Sequence, residues 1–416
     1  MTPPATASSP EPAHPELPPS RDHARAALFL VLVGICAALH IWKLPPALPQ
    51  LQADFHLGLV ASGFLLSVVQ MGGMLLGLPV GLLAERVGLR RCIILGLGIL
   101  SIASALGAVF DSGLMVLLGR AVEGVGFLMV VMPIPALIRR LVPPRRLSRV
   151  MGLWGCYMPV GTVVILLAGS WILDFGHWQV LWFLLSALTA LCLILVLRLV
   201  PADHVTAPPG GSVSAFALAA TTLKSLNAWL VALTFGMYSG QWIAIIGFLP
   251  IIYAAEGISG TTAGLLTAIV AGSNAIGNLL AGRLLHSGAA AWQLLVLGLA
   301  TMIVCAWGAF GAGLPAAGQF VAVLLFSLVG GLVPATLFVL ALTLAPTPQT
   351  ASATVGWMQQ CSSLGQFSGP PLVAWVVHTA GNDWQWTWVA TSTLSALGIL
   401  LALAIRARTR PPAPAA

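Results

Sequence analysis

Apolar residues run through this chain in blocks too long to be the core-facing stripes of a water-soluble fold. Twelve can be drawn, at about 26–50, 59–84, 91–110, 112–137, 150–173, 178–200, 226–253, 258–285, 290–312, 316–343, 350–378 and 384–405. About 20 apolar residues suffice to cross a hydrocarbon core of roughly 30 Å as a helix. The blocks lack the alternation and the length of about 10 residues of a barrel strand, so they predict helices. The expected fold is an all-α integral membrane protein with twelve transmembrane helices.

The polar positions divide those helices. The longest interruption, 201–225, holds Pro201, Pro208, Pro209, Gly210 and Gly211. It predicts a cytoplasmic linker between an N-terminal six-helix bundle (26–200) and a C-terminal one (226–405), with cytoplasmic tails at 1–25 and 406–416. Residues 1–20, rich in Pro, Ala and Ser, read as disordered. No short apolar stretch with a cleavage site precedes the first block, so no cleaved signal peptide is expected.

The halves repeat one another. Leu48-Pro49 returns as Leu249-Pro250 at an offset of 201, which also pairs Gly63 with Gly264 and Gly81 with Gly282. Gly152 and Gly161 return as Gly356 and Gly365, and Trp178-Gln179-x-x-Trp182 returns as Trp384-Gln385-x-x-Trp388. Duplication of a six-helix half is the signature of a secondary transporter whose solute site lies near mid-membrane between the halves. Residues kept in both halves read as architecture; those that break the symmetry are candidates for chemistry.

Charge supplies the orientation. With the N-terminus placed inside, sixteen of the 18 Lys and Arg residues fall in or beside the cytoplasmic connections. The opposite loops carry only Asp54, Asp111, Asp174, Glu256 and Asp383. This bias places both termini in the cytoplasm. A chain that is 58% hydrophobic and 7% charged is excluded from the soluble class, where about 25% of residues are charged. The net charge of +7 needs no nucleic acid, because the excess sits where it meets anionic lipid. The six cysteines form no CxxC pair, and no metal or cofactor is expected.

Two motifs stand out. Gly81-Leu-Leu-Ala-Glu85-Arg86-Val-Gly88-Leu-Arg90-Arg91 joins the second and third blocks, and Gly119-Arg120-Ala-Val-Glu123-Gly124-Val-Gly126 lies in the fourth. Together they resemble the two most characteristic motifs of the major facilitator superfamily, across essentially the whole chain after the tail. The resemblance implies two pseudo-symmetric six-helix bundles in a bacterial inner membrane. It also implies that Gly81, Glu85, Arg86, Gly88, Arg90 and Arg91 form a cytoplasmic latch, with Glu85 in place of the more usual Asp. The second-half copy, Gly282-Arg283-Leu-Leu-His286-Ser-Gly288, has no acid. Gly152, Gly155, Pro159 and Gly161 retain part of a drug-antiporter motif, with Met158 at a key glycine position. Gly247-Phe-Leu249-Pro250 and Gly369-Pro370-Pro371-Leu372 resemble the cyanate/nitroimidazole permease branch, whose early arginine in span one is absent here.

No phosphate-cradling glycine run precedes Lys43 or Lys224, and no enzyme motif is present, so an ATP motor and a catalytic function are both excluded. The remaining charges lie inside spans, where each costs roughly 2.5–3.5 kcal/mol on insertion scales and usually serves function. Glu123 is the only acid within a block, and Arg120 shares its helix face three residues before it. The pair is either a structural ion pair or, as the resemblance implies, the proton-coupling group. His40 and Lys43 share a face in span one. Lys43 is either a solute site or a lysine snorkelling to the surface. Gln241, the repeat partner of His40, with Trp242, Gln359 and Gln360, completes the expected solute-binding set, while Asn274 and Asn278 read as helix glue.

The expected function is proton-coupled movement of a small polar, anionic organic solute by alternating access, by a chain that works as a monomer. The alternatives are a proton-driven exporter of a drug or siderophore, and a non-transporting membrane sensor.

Overall fold

The structure, a computed structural model, describes residues 21–203, 214–258 and 260–409. The proposed disordered tail at 1–20 and residues 204–213 of the linker lie outside these. Among the described residues there is no strand. Eleven helical stretches are long and apolar enough to cross a membrane: α1 (His23–Phe55), α2 (Leu59–Gly77), α3 (Leu89–Gly107), α4 (Gly113–Leu141), α5 (Tyr157–Phe175), α6 (Trp178–Leu199), α7 (Leu226–Ala255), α8 (Gly260–His286), α9 (Ala291–Gly311), α10 (Ala316–Thr343) and α12 (Trp384–Arg408). The twelfth, α11 (Ala351–Thr379), is 29 residues long but more polar, with Gln359, Gln360 and Gln366 along it. Among the described residues, the first helical residue is Arg21 and the last is Thr409.

Prolines place the irregularities. Lys43 interrupts α1 between Trp42 and Leu44, just before Pro45 and Pro46. A proline has no N–H to give the carbonyl four residues earlier. Pro45 therefore orphans the carbonyl of Ile41, and Pro46 that of Trp42. α4 changes course at Met132–Pro133 for the same reason.

Small residues bring the helices together. In α7 and α11, Gly236 and Gly240 meet Gly365 and Gly369 backbone to backbone, with no room for a Cβ on either glycine of α11. Such stripes let helices associate where lipid removes the hydrophobic drive between them. Across the halves, α1 packs on α7, α2 on α11, and α5 on α8. The last two contacts are symmetry mates, since α2 corresponds to α8 and α5 to α11. The repeated glycines sit on them: Gly63 lies against Pro370 and Pro371, and Gly264 against Leu166 and Ser170. The outer surface carries exposed apolar side chains such as Ile102, Leu279 and Leu400, a belt that suits acyl chains.

Candidate functional site

One of the two orphaned carbonyls of α1, that of Ile41, is met from α4, together with the neighbouring carbonyl of His40. Arg120 donates through one terminal nitrogen to His40 O (2.6 Å) and through the other to Ile41 O (3.2 Å). The first nitrogen also reaches Glu123 Oε2 at 2.5 Å, one turn further along α4. The other carboxylate oxygen, Oε1, takes Lys43 Nζ at 2.5 Å. Lys43 gives a further hydrogen bond to Ser104 Oγ on α3 (2.9 Å), and its ammonium lies 4.2 Å from the ring centre of Trp182 on α6. His40 Nε2 is 2.7 Å from Thr189 Oγ1, also on α6.

His40 and Lys43 are 0% exposed, and Arg120 and Glu123 are 1% exposed. The cluster is thus sealed among α1, α3, α4 and α6 of the first bundle. Lys43 does not snorkel: its ammonium turns inward to a carboxylate. Two cations face one acid, leaving one positive charge in excess when His40 is neutral. Removing Glu123 would leave both buried cations uncompensated, so the carboxylate ties α1 to α4.

The second half repeats the frame without the charge. Gln241 accepts from Ser395 Oγ at 2.9 Å. Ser395 follows Thr189 by 206 residues, the offset of the repeated Trp-Gln motif. His40 and Gln241 thus occupy equivalent places, each turned into its own bundle and not toward the other across the midline. Lys43 corresponds to Ala244.

Other candidates lie at the seam between the halves. Trp42 and Trp242 meet edge to face, with ring centres 5.4 Å apart. Trp242 donates to Ser327 Oγ (3.1 Å), whereas Trp42 Nε1 is buried with no partner. Asn274 donates to Tyr238 Oη and to Ser327 O, both at 2.8 Å, and Asn278 donates back to Asn274. Asn274 thus makes the interhelical bonds expected of it, whereas the bonds of Asn278 stay within α8. Gln360 crosses the seam to Met74 O (2.8 Å), leaving its own carbonyl unpartnered, as is that of Gln359.

In the latch, the side chains of Gly81, Glu85 and Arg86 lie outside the described residues. The rest of the motif opens α3. Gly88 has φ of 107°, the left-handed region that favours glycine. Arg90 N and Arg91 N donate to the two oxygens of Asp203 at 2.9 and 3.0 Å. A carboxylate from the linker therefore caps the N-terminus of α3, where the helix dipole favours negative charge. On the opposite face, Asp174 at the end of α5 accepts from Thr261 N (3.1 Å) and Thr261 Oγ1 (2.5 Å) at the start of α8. Sequence reasoning missed Asp203 and Asp174 in these roles, as well as Ser104, Thr189 and Trp182. Asp203 alone left a signal, as an acid beside the arginine-rich connections. Among the described residues, no group of three or more His, Cys, Asp or Glu side chains is placed to hold a metal ion.

A family model described as Major Facilitator Superfamily matches residues 30–355. The chain belongs to that superfamily. It is 26% identical over 260 residues to the cyanate transport protein CynX of Escherichia coli (strain K12), covering 61% of this chain and 65% of that one. It is 28% identical over 238 residues to the multidrug resistance protein MdtH of Aeromonas hydrophila subsp. hydrophila, covering 56% of this chain and 58% of that one. The chain thus matches less than two thirds of the length of either relative. A bacterial homologue of the human lysosomal transporter Spinster, in an inward-facing and unoccupied conformation, shares the fold with a TM-score of 0.79. That likeness covers 95% of this chain and 100% of the other, at 16% identity. The protein is a multi-pass membrane protein of this superfamily.

Proposed function

We propose that this transporter couples protons to the movement of a small polar, anionic organic solute across a bacterial inner membrane. It works by alternating access as a monomer, with both termini in the cytoplasm. The observation that carries the reading is the sealed Lys43–Glu123–Arg120 cluster at the break in α1. A proton arriving at the cluster disturbs the pairs between its two cations and one carboxylate, so proton uptake is tied to opening of the bundle around them. Arg120 grips the carbonyls of α1 at the break, and the next residue, Trp42, meets Trp242 of the other half. Opening the cluster and re-aiming α1 across the seam are therefore one event. Support for an anion comes from the cyanate-transporting relative and from the excess positive charge of the cluster.

Proteoliposomes with cyanate as the first probe test this. The parent should move protons with the solute. Glu123→Gln should lose that coupling while retaining solute exchange. No proton movement in the parent, or equal coupling in both, overturns the proposal. A second reading, export of a larger aromatic compound, is favoured by the Trp42–Trp242 pair and the similarity to MdtH. Cyanate indifference with uptake of a planar cationic dye into inverted vesicles would select it.

A further inference from the structure

We infer that the coupling proton is received by the Nδ1 atom of His40, beside Glu123, and that it acts by competing with Lys43 for a single carboxylate oxygen. This rests on the proton-coupled reading above and assigns the step to a residue and an atom.

The argument begins with a count of protons on Thr189. Its hydroxyl has one, and Leu185 O, one turn earlier on α6, accepts it at 2.8 Å. The contact between Thr189 Oγ1 and His40 Nε2 at 2.7 Å must then be supplied from the ring. The hydrogen-bond network therefore assigns the Nε2–H tautomer, and a neutral imidazole with a proton on Nε2 has a bare lone pair on Nδ1. Nδ1 is buried and has no hydrogen-bond partner. It faces Glu123 Oε1 at 3.9 Å. Two acceptors thus stand 3.9 Å apart in a sealed place with no donor between them.

Oε1 is the contested atom. Oε2 is held by Arg120, and Oε1 by Lys43 at 2.5 Å. A proton added to the Nδ1 lone pair breaks no bond and makes the ring a cation that donates to Oε1. The carboxylate then leans toward the ring, and Lys43 retains Ser104 Oγ and the face of Trp182. Lys43 is the residue at which α1 is interrupted, so loosening it frees the outer part of that helix. On release the proton returns to water on the other side and Lys43 recovers Oε1.

The surroundings set when this occurs. The charged and titratable groups around the ring are Lys43 and Cys36 from α1, Glu123 and Arg120 from α4, and Cys192 from α6, which contacts Cys36. α3 brings the neutral Ser104. A second excess positive charge is unfavourable in this setting unless a negative charge enters the same field. An anion in the seam supplies it, so anion and proton favour each other's binding reciprocally.

The test reads the ring itself. The full chain, labelled with ¹⁵N-histidine in lipid nanodiscs, is titrated from about pH 9 to about pH 4 without added solute. Signals missing from His40→Gln identify His40. The expected result is a bare Nδ1 and a protonated Nε2 at alkaline pH, with Nδ1 gaining a proton on acidification. In Glu123→Asp, whose shorter side chain withdraws the oxygen without losing the charge, Nδ1 should stay bare over a wider range. In Lys43→Gln, which frees Oε1, it should fill earlier. The opposite tautomer in the parent overturns the inference outright. So does a His40 titration that both variants leave unmoved. Flux measurements play no part in these outcomes, so loss of proton coupling in proteoliposomes would refute the proposed function separately.

Discussion

Replacing Lys43 separates the structural and functional shares of the buried cluster, because its ammonium is within 2.5 Å of Glu123 Oε1 and touches no solvent. Lys43→Met leaves Glu123 paired with Arg120 but strips Oε1 of its donor, so it should cost about 1–3 kcal/mol of stability, the penalty of a buried acceptor left unsatisfied. A lowered midpoint in thermal unfolding by intrinsic fluorescence would show it. Lys43→Arg keeps the charge and should retain most of the stability. If the excess charge draws an anion to the seam, Lys43→Gln should weaken solute affinity several-fold, and Lys43→Arg much less. Equal affinity in all three proteins would reject the anion. At this scale the sequence marked Lys43, Arg120 and Glu123 because charges are rare inside spans. It could not mark Ser104, Thr189 or Trp182, which are ordinary neutral residues until folding brings α3 and α6 to them. Nor could it fix the rotations of α1 and α7 about their axes, which turn His40 and Gln241 into their own bundles.

Among the elements, the α7–α11 crossing is the most exacting contact. Gly365 and Gly369 lie directly on the carbonyls of Gly236 and Gly240. Gly369→Leu should force the helices apart and abolish the monodisperse peak in detergent chromatography. Gly282→Ala, where a Cβ meets nothing within 4 Å, should be silent or slightly stabilising. Equal behaviour of the two variants would mean that the crossing tolerates a wider spacing. The internal repeat made much of this readable beforehand. Gly63 and Gly264 were paired by offset alone, and both prove to lie at contacts between the halves. What the repeat could not show is that this crossing is closer in the second half than its mate, α1 against α5, in the first. The counterparts of Gly236 and Gly240 in α1 are Ile35 and Leu39, and only Gly161 of the opposing pair is kept in α5.

Across the whole molecule, the acid-bearing face is closed by Asp174, whose carboxylate caps the first turn of α8 from the other half. Asp174→Ala should shift the population toward opening on that face. A cysteine placed at Ser170, 4% exposed beside Gly264, should then react faster with an impermeant maleimide in a cysteine-free background. No change in rate would make the contact incidental. The alternation of charge predicted this face as the acidic one, but not that one of its acids would bridge the halves, since loop composition says nothing about which loops meet.

Among the described residues, the symmetry-related seam of α2 against α11 has no such tie on this face, its Gln360–Met74 bond lying further along α2. His378, which follows Asp174 by 204 residues, lines an open cleft with Gln52, Leu57, Gly58, Leu59, Asn382 and Trp384. Its ring contacts Asn382 of its own half. The two edges of the closed face are therefore unequal, one bolted and one ajar. A machine built from two copies of one plan would be expected to part evenly about its axis. This one should swing like a door, with the α5–α8 edge as its hinge and water entering first along the edge that holds His378.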